Sequence, residues 1–250
     1  MGIIVKNAKQ IEKMREPCQL VKNAFELLGS IIAPGITTRE LDETVEKFFK
    51  KNGARPSFKG YRGYPKSICT SINEVVIHGI PDLRKLESGD IISIDIGAYK
   101  NGFHGDAART FAVGDISDEA QKLVDITKQS FFEGIKYAKA GEFLGSISAA
   151  IQDFVEGAGY SVVRDFVGHG IGASLHEAPE VANFRNPAQG RGPRLASGMT
   201  LAIEPMVNIG THEVVILSDK WTVVTKDKKL SAHYENTVLI THGEAEILTI

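Results

Sequence analysis

The stretch from Ile91 to Phe111 constrains this chain more than any other. Ile92, Ile94 and Ile96 alternate with Ser93 and Asp95, the period of a half-buried strand. Asn101-Gly102 follows, a dipeptide suited to the positive φ angles of a tight hairpin turn. A second run, Phe103 to Phe111, returns along the first and carries Asp106. With Asn101 and Gly102 as the turn and no bulge, Asp95 lies opposite Ala108. Asp106 is then its diagonal neighbour on the same face, roughly 5–8 Å away. Two carboxylates on one face of an apolar hairpin repel each other, so one keeps a proton or a cation sits between them. Taken alone, the pair also fits a solvated edge, where aspartate is common.

The chain has 250 residues, enough for a sizeable core and for one large domain or two small ones, and reads as a single domain spanning 1–250. Its 29 basic and 31 acidic residues leave a net charge of −2, which argues against a dedicated nucleic-acid or membrane surface. No apolar run reaches the length of a membrane span. Met1 to Gln10 lacks the apolar core of a signal peptide, and Lys6 stands where myristoylation favours Ser or Thr. Cys18 and Cys69 are far apart and read as free thiols of a cytoplasmic protein.

Lys9 to Ser30 carries a helical stripe of Ile11, Met14, Cys18, Val21, Phe25 and Leu28. Pro17 inside it predicts a break or kink, with Pro17 opening a second helical piece. Thr37 and Glu40 form a capping box ahead of Leu41, Val45 and Phe48, and Asn52-Gly53 stops that helix. Ala54 to Lys66 is a glycine-containing loop whose Phe58, Tyr61 and Tyr64 either line a pocket or cover the core. Ser67 to Ile77 reads as a strand or two. Ser117 to Lys139 is helical, and a further helix carries Ile147, Ile151 and Phe154. Ala178 to Leu195 reads as a long Pro/Gly-rich loop. Strands are predicted at Thr200–Ile203, Val214–Leu217, Trp221–Thr225, Asn236–Thr241 and Glu246–Ile250.

The second half echoes the first. Gly35, Leu41, Val45, Phe48 and Gly53 map onto Gly141, Ile147, Ile151, Phe154 and Gly159 at a constant 106 residues. His78-Gly79-Ile80 recurs as His169-Gly170-Ile171. Ser88-Gly89 with Asp95 recurs as Ser197-Gly198 with Glu204, and His104-Gly105-Asp106 more loosely as His233-Tyr234-Glu235. The order is the same in both halves, which suggests a duplication over roughly 9–113 and 117–250. Two such halves about a pseudo-twofold would bring Asp95 to Glu204, Asp106 to Glu235 and His78 to His169. Four converging carboxylates would cost many kcal/mol if buried uncompensated. Two divalent cations about 3.5–4 Å apart relieve that charge, and carboxylates with imidazole suit Mn, Fe, Co or Zn. Rival chemistries lack support. There is no Gly-x-Ser-x-Gly elbow, His176-Glu177 opens no His-Glu-x-x-His motif, and the glycines around His169 lack a phosphate-loop lysine.

Asn73-Glu74-Val75-Val76 through His78-Gly79-Ile80-Pro81, Asp95-Ile96-Gly97, Gly105-Asp106, Gly168 to Gly172, His176-Glu177, Ile203-Glu204-Pro205 and Glu235-Asn236-Thr237 together resemble the type I methionine aminopeptidases over nearly the whole chain. The resemblance implies the pita-bread fold, an α/β architecture of two related halves around a metal site. It implies Asp95 as a bidentate ligand of one metal, Asp106 and Glu235 as bridges, and His169 and Glu204 as ligands of the other. His78 and His176 match histidines that hold substrate without ligating metal, and Glu204 also matches the residue assigned proton transfer. Cys69, Tyr61, Tyr64 and Trp221 match the wall of the methionine pocket, where Leu175 departs from a frequent Phe. Asn73, Val75 and Ser231 match a monovalent cation site. The absence of a long C-terminal insertion and of an N-terminal Cys/His extension matches the bacterial type I pattern. The implied activity is metal-assisted removal of the initiator methionine from nascent chains with a small second residue, near the ribosome, by a cytoplasmic monomer. The alternatives are a proline-directed peptidase such as prolidase or aminopeptidase P, which typically carries a large N-terminal domain, and a peptide-binding module that has lost its metals.

Overall fold

The computed structural model describes residues 2–250. The first half runs through α1 (Ala8–Gly29), α2 (Thr38–Lys51), β1 (Arg55–Pro56), β2 (Cys69–Ile72), β3 (Val75–Ile77), β4 (Ile91–Lys100) and β5 (Phe103–Ala112). The second begins with α3 (Asp118–Ile135), α4 (Leu144–Gly157), β6 (Ser161–Val162), β7 (Gly168–Gly170) and β8 (Glu177–Val181). It continues through β9 (Thr200–Ile203), β10 (Met206–Asn208), β11 (Val214–Ile216), β12 (Val223–Thr225), β13 (Ser231–His233), β14 (Glu235–Leu239) and β15 (Glu246–Ile247). A nine-stranded antiparallel sheet in the order β1-β4-β5-β14-β9-β7-β8, with β2 on β4 and β15 on β14, forms the floor of the molecule. Together these elements make the α/β pita-bread fold that the motifs predict. No helix among the described residues is long and apolar enough to cross a membrane.

The central hairpin has the predicted register from end to end, Ile91 opposite Ala112 through Lys100 opposite Phe103. Asn101 and Gly102 make the turn with φ of 56° and 84°, the left-handed pair that sets a two-residue loop. Ile92, Ile94 and Ile96 face one way, into a core with Val21, Leu41, Val45 and Phe49 of α1 and α2. The matching core of the second half joins Leu123 and Phe131 of α3, Ile147 and Ile151 of α4, and Leu201 and Ile203 of β9. Asp95 therefore points to the opposite face, away from the helices, by strand alternation alone.

The structure departs from the sequence reading in several places. First, α1 runs unbroken through Pro17. The proline removes one backbone donor and costs about 3 kcal/mol, but Met14, Cys18 and Val21 on either side of it are all fully buried. At about 1.5–3 kcal/mol per buried side chain, packing on the hairpin outweighs the defect. Helix and hairpin touch so closely that a Cβ on Gly105 would lie 2.7 Å from the Cys18 backbone nitrogen. Second, the Ala178–Leu195 loop opens as strand, because Glu177–Val181 pairs with β7. The strand predicted from Trp221 begins only at Val223, where pairing with β11 starts.

Third, the halves repeat one another's hydrogen bonds, but not in the register that the motif letters suggest. Gly35 N–H donates to Leu86 O, as Gly141 N–H does to Leu195 O. Gly89 N–H donates to Val113 O, as Gly198 N–H does to Ile240 O. The Thr110 hydroxyl bonds both backbone groups of His233, and the Thr237 hydroxyl bonds both of Asp106. These bonds equate β5 with β14 at a spacing of 127 residues, so Asp106 corresponds to His233 and Glu235 to Ala108. Likewise Ser71 opposes Ser93 and His169 opposes Ala202. Ser71, not His78, thus holds the place of His169, and the same spacing of 98 carries His78 onto His176. Loops of unequal length shift the letters relative to the register.

Candidate active site

Asp95, Ala108 and Glu235 stand in one row across β4, β5 and β14. Asp106 sits two residues from Ala108 on the same face. Glu204 directly follows Ile203, the partner of Asn236, and so continues toward Glu235. His169 enters from β7, opposite Ala202. Asp106, His169 and Glu235, all buried, each offer a ligand atom within 4.8 Å of the others. His169 Nε2 lies 3.6 Å from Glu204 Oε1. Its Nδ1 is 2.9 Å from the carbonyl of Gly170, which can only accept, so Nδ1 carries the proton and the Nε2 lone pair faces the carboxylates.

Burial lifts the affinity of Asp95, Asp106, Glu204 and Glu235 for protons above the usual carboxylate range. Like-charge repulsion within the cluster adds to burial for Asp106, Glu204 and Glu235. The buried imidazole of His169 is pushed down to about 3, chiefly by desolvation. Asp95 Oδ1, Asp106 Oδ1 and Glu235 Oε1 are buried and accept no hydrogen bond. Buried acceptors without donors are rare because each forfeits its hydration. Orphaned carboxylate oxygens converging with an imidazole lone pair make a donor set that fits divalent metal ions. Arg109 is close behind, yet it spends its guanidinium on the carbonyls of Ala108 and Glu235 and the amide oxygen of Asn236, not on a carboxylate.

The cluster opens into a cavity of about 180 Å³. Tyr61, Tyr64, Cys69, Leu175 and Trp221 line its apolar side, and His78, His169 and His176 its polar side. The edge of Trp221 packs on Tyr64 at 5.1 Å, and the Tyr64 hydroxyl is tied down by the carbonyls of Ile68 and Gly79. His176 stacks on Tyr61 at 5.2 Å and lies 4.1 Å from the ring of His169. His78 has a left-handed φ of 59° and is gripped edge-on by Phe166 and Trp221. Such backbone strain commonly persists where the surroundings hold a functional side chain.

Asn73, Val75 and Ser231 are absent from the cavity lining. Asn73 and Ser231 do meet, since Ser231 N–H donates to the Asn73 carbonyl at 2.9 Å. The Asn73 side chain braces Asp90 and the Ile91 amide at the start of β4, while Val75 opposes Val224. Phe58, left between pocket and core by the sequence, is in the lining. Sequence reasoning missed Arg62, Ile77, Phe166 and Val167 in the lining, and His233, whose Nε2 lies 4.0 Å from Glu204 Oε2. Val167 and His233 hold the repeat positions of Cys69 and Asp106, so the correct register would have found them. The remaining three carry no such signal.

The profile of metallopeptidase family M24 matches residues 12–242. The methionine aminopeptidase of Clostridium acetobutylicum is 57% identical over 249 residues, 99% of each chain. Methionine aminopeptidase 1 of Bacillus subtilis is 52% identical over 247 residues, again 99% of each. The crystal structure of methionine aminopeptidase from Rickettsia prowazekii superposes with a TM-score of 0.96 at 38% identity, covering 100% of both chains.

Proposed function

This chain belongs to metallopeptidase family M24, and we propose that it is a bacterial-type methionine aminopeptidase that removes the initiator methionine from chains with a small second residue. The observation that carries this reading is the orphaned carboxylate cluster opening onto an apolar cavity of about 180 Å³. That space suits one unbranched side chain and is smaller than the usual 300–1,000 Å³ of a ligand pocket. Tyr61, Tyr64, Cys69, Leu175 and Trp221 would enclose the methionine side chain.

Family membership implies divalent metal binding. Our reading places two ions, of Mn, Co, Fe or Zn, among Asp95, Asp106, His169, Glu204 and Glu235, and a monovalent cation at Asn73, Val75 and Ser231. When bound, the divalent pair supplies Lewis acidity and an activated water. Glu204, as a carboxylate, would take a proton from the attacking water and return it to the leaving amine. His176, at the mouth beside Tyr61, donates to the oxygen of the scissile carbonyl as negative charge develops there. His78, held by Phe166 and Trp221, steadies the peptide beyond that bond. The carboxylates close the inner end of the cavity, so only the first residue of a chain reaches the cleavage point.

We read the protein as a cytoplasmic monomer of one catalytic domain with two repeated halves, acting on nascent chains near the ribosome. Release of methionine from Met-Ala-Ser tests the activity. It should vanish on exhaustive chelation and return with Mn, Co or Fe, and cleavage that survives chelation would refute the metal reading. Ala-Pro-Ser should be the poorer substrate, and equal or faster cleavage of it would favour the proline-directed alternative.

A further inference from the structure

A segment far from the metal cluster in sequence reaches the loop that carries His176. Lys6 and Glu177, 171 residues apart, form an ion pair of 2.6 Å whose side chains are only 2% and 4% exposed. The approach is shaped by two glycines. A Cβ on Gly198 would lie 2.6 Å from the Lys6 carbonyl oxygen, and one on Gly172 would lie 2.6 Å from both Lys6 Cε and Glu177 Oε1. Gly198 thus admits the Lys6 backbone, whose N–H donates to the Gly198 carbonyl at 2.8 Å, and Gly172 admits its side chain. Lys6 Nζ also donates to the carbonyl of Ile4 at 3.2 Å.

On the other side of the pair, Glu177 Oε1 accepts the Ser174 N–H at 3.1 Å, and Gly172 N–H donates to the Ser174 carbonyl at 3.0 Å. Leu175 and His176 lie between those anchor points, one in the apolar wall and one at the mouth. His176 itself is exposed and forms ring contacts with Tyr61 and His169. Its backbone lies between a short turn, closed by a carboxylate, and the pairing of Glu177 with Gly170. That carboxylate is buried and tolerable there only while a cation faces it.

We propose that Lys6 is a positioning residue: through Glu177 it fixes the 172–177 turn and so sets where His176 meets the substrate. The proposal rests on the reading of His176 as a donor to the scissile carbonyl. Without the Lys6 charge, Glu177 swings toward water, releases Ser174 and carries His176 off its line. The metal cluster is untouched, because His169 is held independently by β9 and by the Gly170 carbonyl.

The test is a double-mutant cycle on the Mn-loaded enzyme with Met-Ala-Ser, using Lys6→Met, His176→Ala and the two combined. Lys6→Met should lower kcat roughly 10–100-fold, the scale of a displaced catalytic group, with unchanged calorimetric Mn affinity. In the His176→Ala background it should cost nothing more. An equal loss in both backgrounds, weakened Mn binding or unchanged kcat overturns the proposal. Normal turnover of His176→Ala alone would overturn both this inference and the role given to His176, whereas additivity with a slow His176→Ala overturns this inference only. Should Lys6→Met lose its near-ultraviolet circular dichroism, Lys6→Met/Glu177→Leu takes its place in the cycle. It buries no unpaired charge and removes the acceptor of the Ser174 N–H, so the same outcomes decide.

Discussion

Removing the His169 imidazole should separate metal binding from turnover. Its Nε2 faces Glu204 at 3.6 Å and lies within 4.8 Å of ligand atoms on Asp106 and Glu235. His169→Ala therefore deletes a neutral donor and leaves the carboxylates of the cluster repelling one another across an ion held less well. Tight protein sites bind a metal ion with about 10–16 kcal/mol shared among some four donors. One donor is then worth about 3 kcal/mol, or about 100-fold in affinity. His78 stands apart from that cluster, between Phe166 and Trp221, and His176 stacks on Tyr61. His78→Ala and His176→Ala should keep normal affinity and lose roughly 10²–10³-fold in turnover, the scale of a lost oxyanion donor. Calorimetric titration of the three metal-stripped variants with Mn, beside kcat at saturating Mn, reads both quantities. If His78→Ala loses affinity as severely as His169→Ala, the division of roles fails and the two histidines act alike.

Gly105→Ala should destabilise the protein by about 1–3 kcal/mol through overpacking. Its Cβ would meet the Cys18 backbone at 2.7 and 2.8 Å, not a yielding side-chain tip. Thermal unfolding should fall by roughly 2–4 °C per kcal/mol, and an unchanged or higher midpoint would refute it. Burial lifts the carboxyls of the cluster and lowers His78, His169 and His233, the last two to about 3. About one unit above the ordinary histidine value of 6.5 the imidazoles are almost wholly neutral whether folded or unfolded, so the carboxyls decide the slope. Metal-free protein should therefore lose stability as pH rises from about 7.5 to about 8.5, since its folded state must give up protons that the unfolded chain has already lost. Urea midpoints across that window check it, and saturating Mn should flatten the slope. Trp221→Ala opens the methionine pocket and should raise KM for Met-Ala-Ser roughly tenfold, the worth of a few apolar contacts. A fall in kcat with unchanged KM would argue against a binding role for the indole.

The hairpin was legible because one turn dipeptide and strict alternation leave a single register. The capping box at Thr37 and Glu40 was legible because both reciprocal bonds are local. Pro17 misled because helix breaking is a local cost, whereas Met14 packs with Phe103 and Cys18 lies against Gly105, strand residues some ninety positions away. The candidate site residues were picked by motif, and the structure places the five carboxylate and histidine candidates around one cavity. Their symmetry was misjudged because letters repeat at one spacing and hydrogen bonds at another. His233 and Val167 went unnoticed for that reason. Lys6 could not have been linked to Glu177 from sequence at all, since nothing local joins positions 171 residues apart.

The unequal register of the two halves bears on direction. A site with true twofold symmetry offers a peptide the same surface whichever way it runs, and cannot tell an amino end from a carboxyl end. Here Ala108 faces Glu235 across the axis, Asp106 answers His233, and His169 has only Ser71 as its counterpart. Glu235 and His169 lie on one side of the seam between β5 and β14 and Asp106 on the other, and none of the three has an equivalent ligand as its mate. The two halves supply nearly the same backbone, but the small set of positions where they disagree gives the cleft a polarity, and so a sense in which a chain can be read.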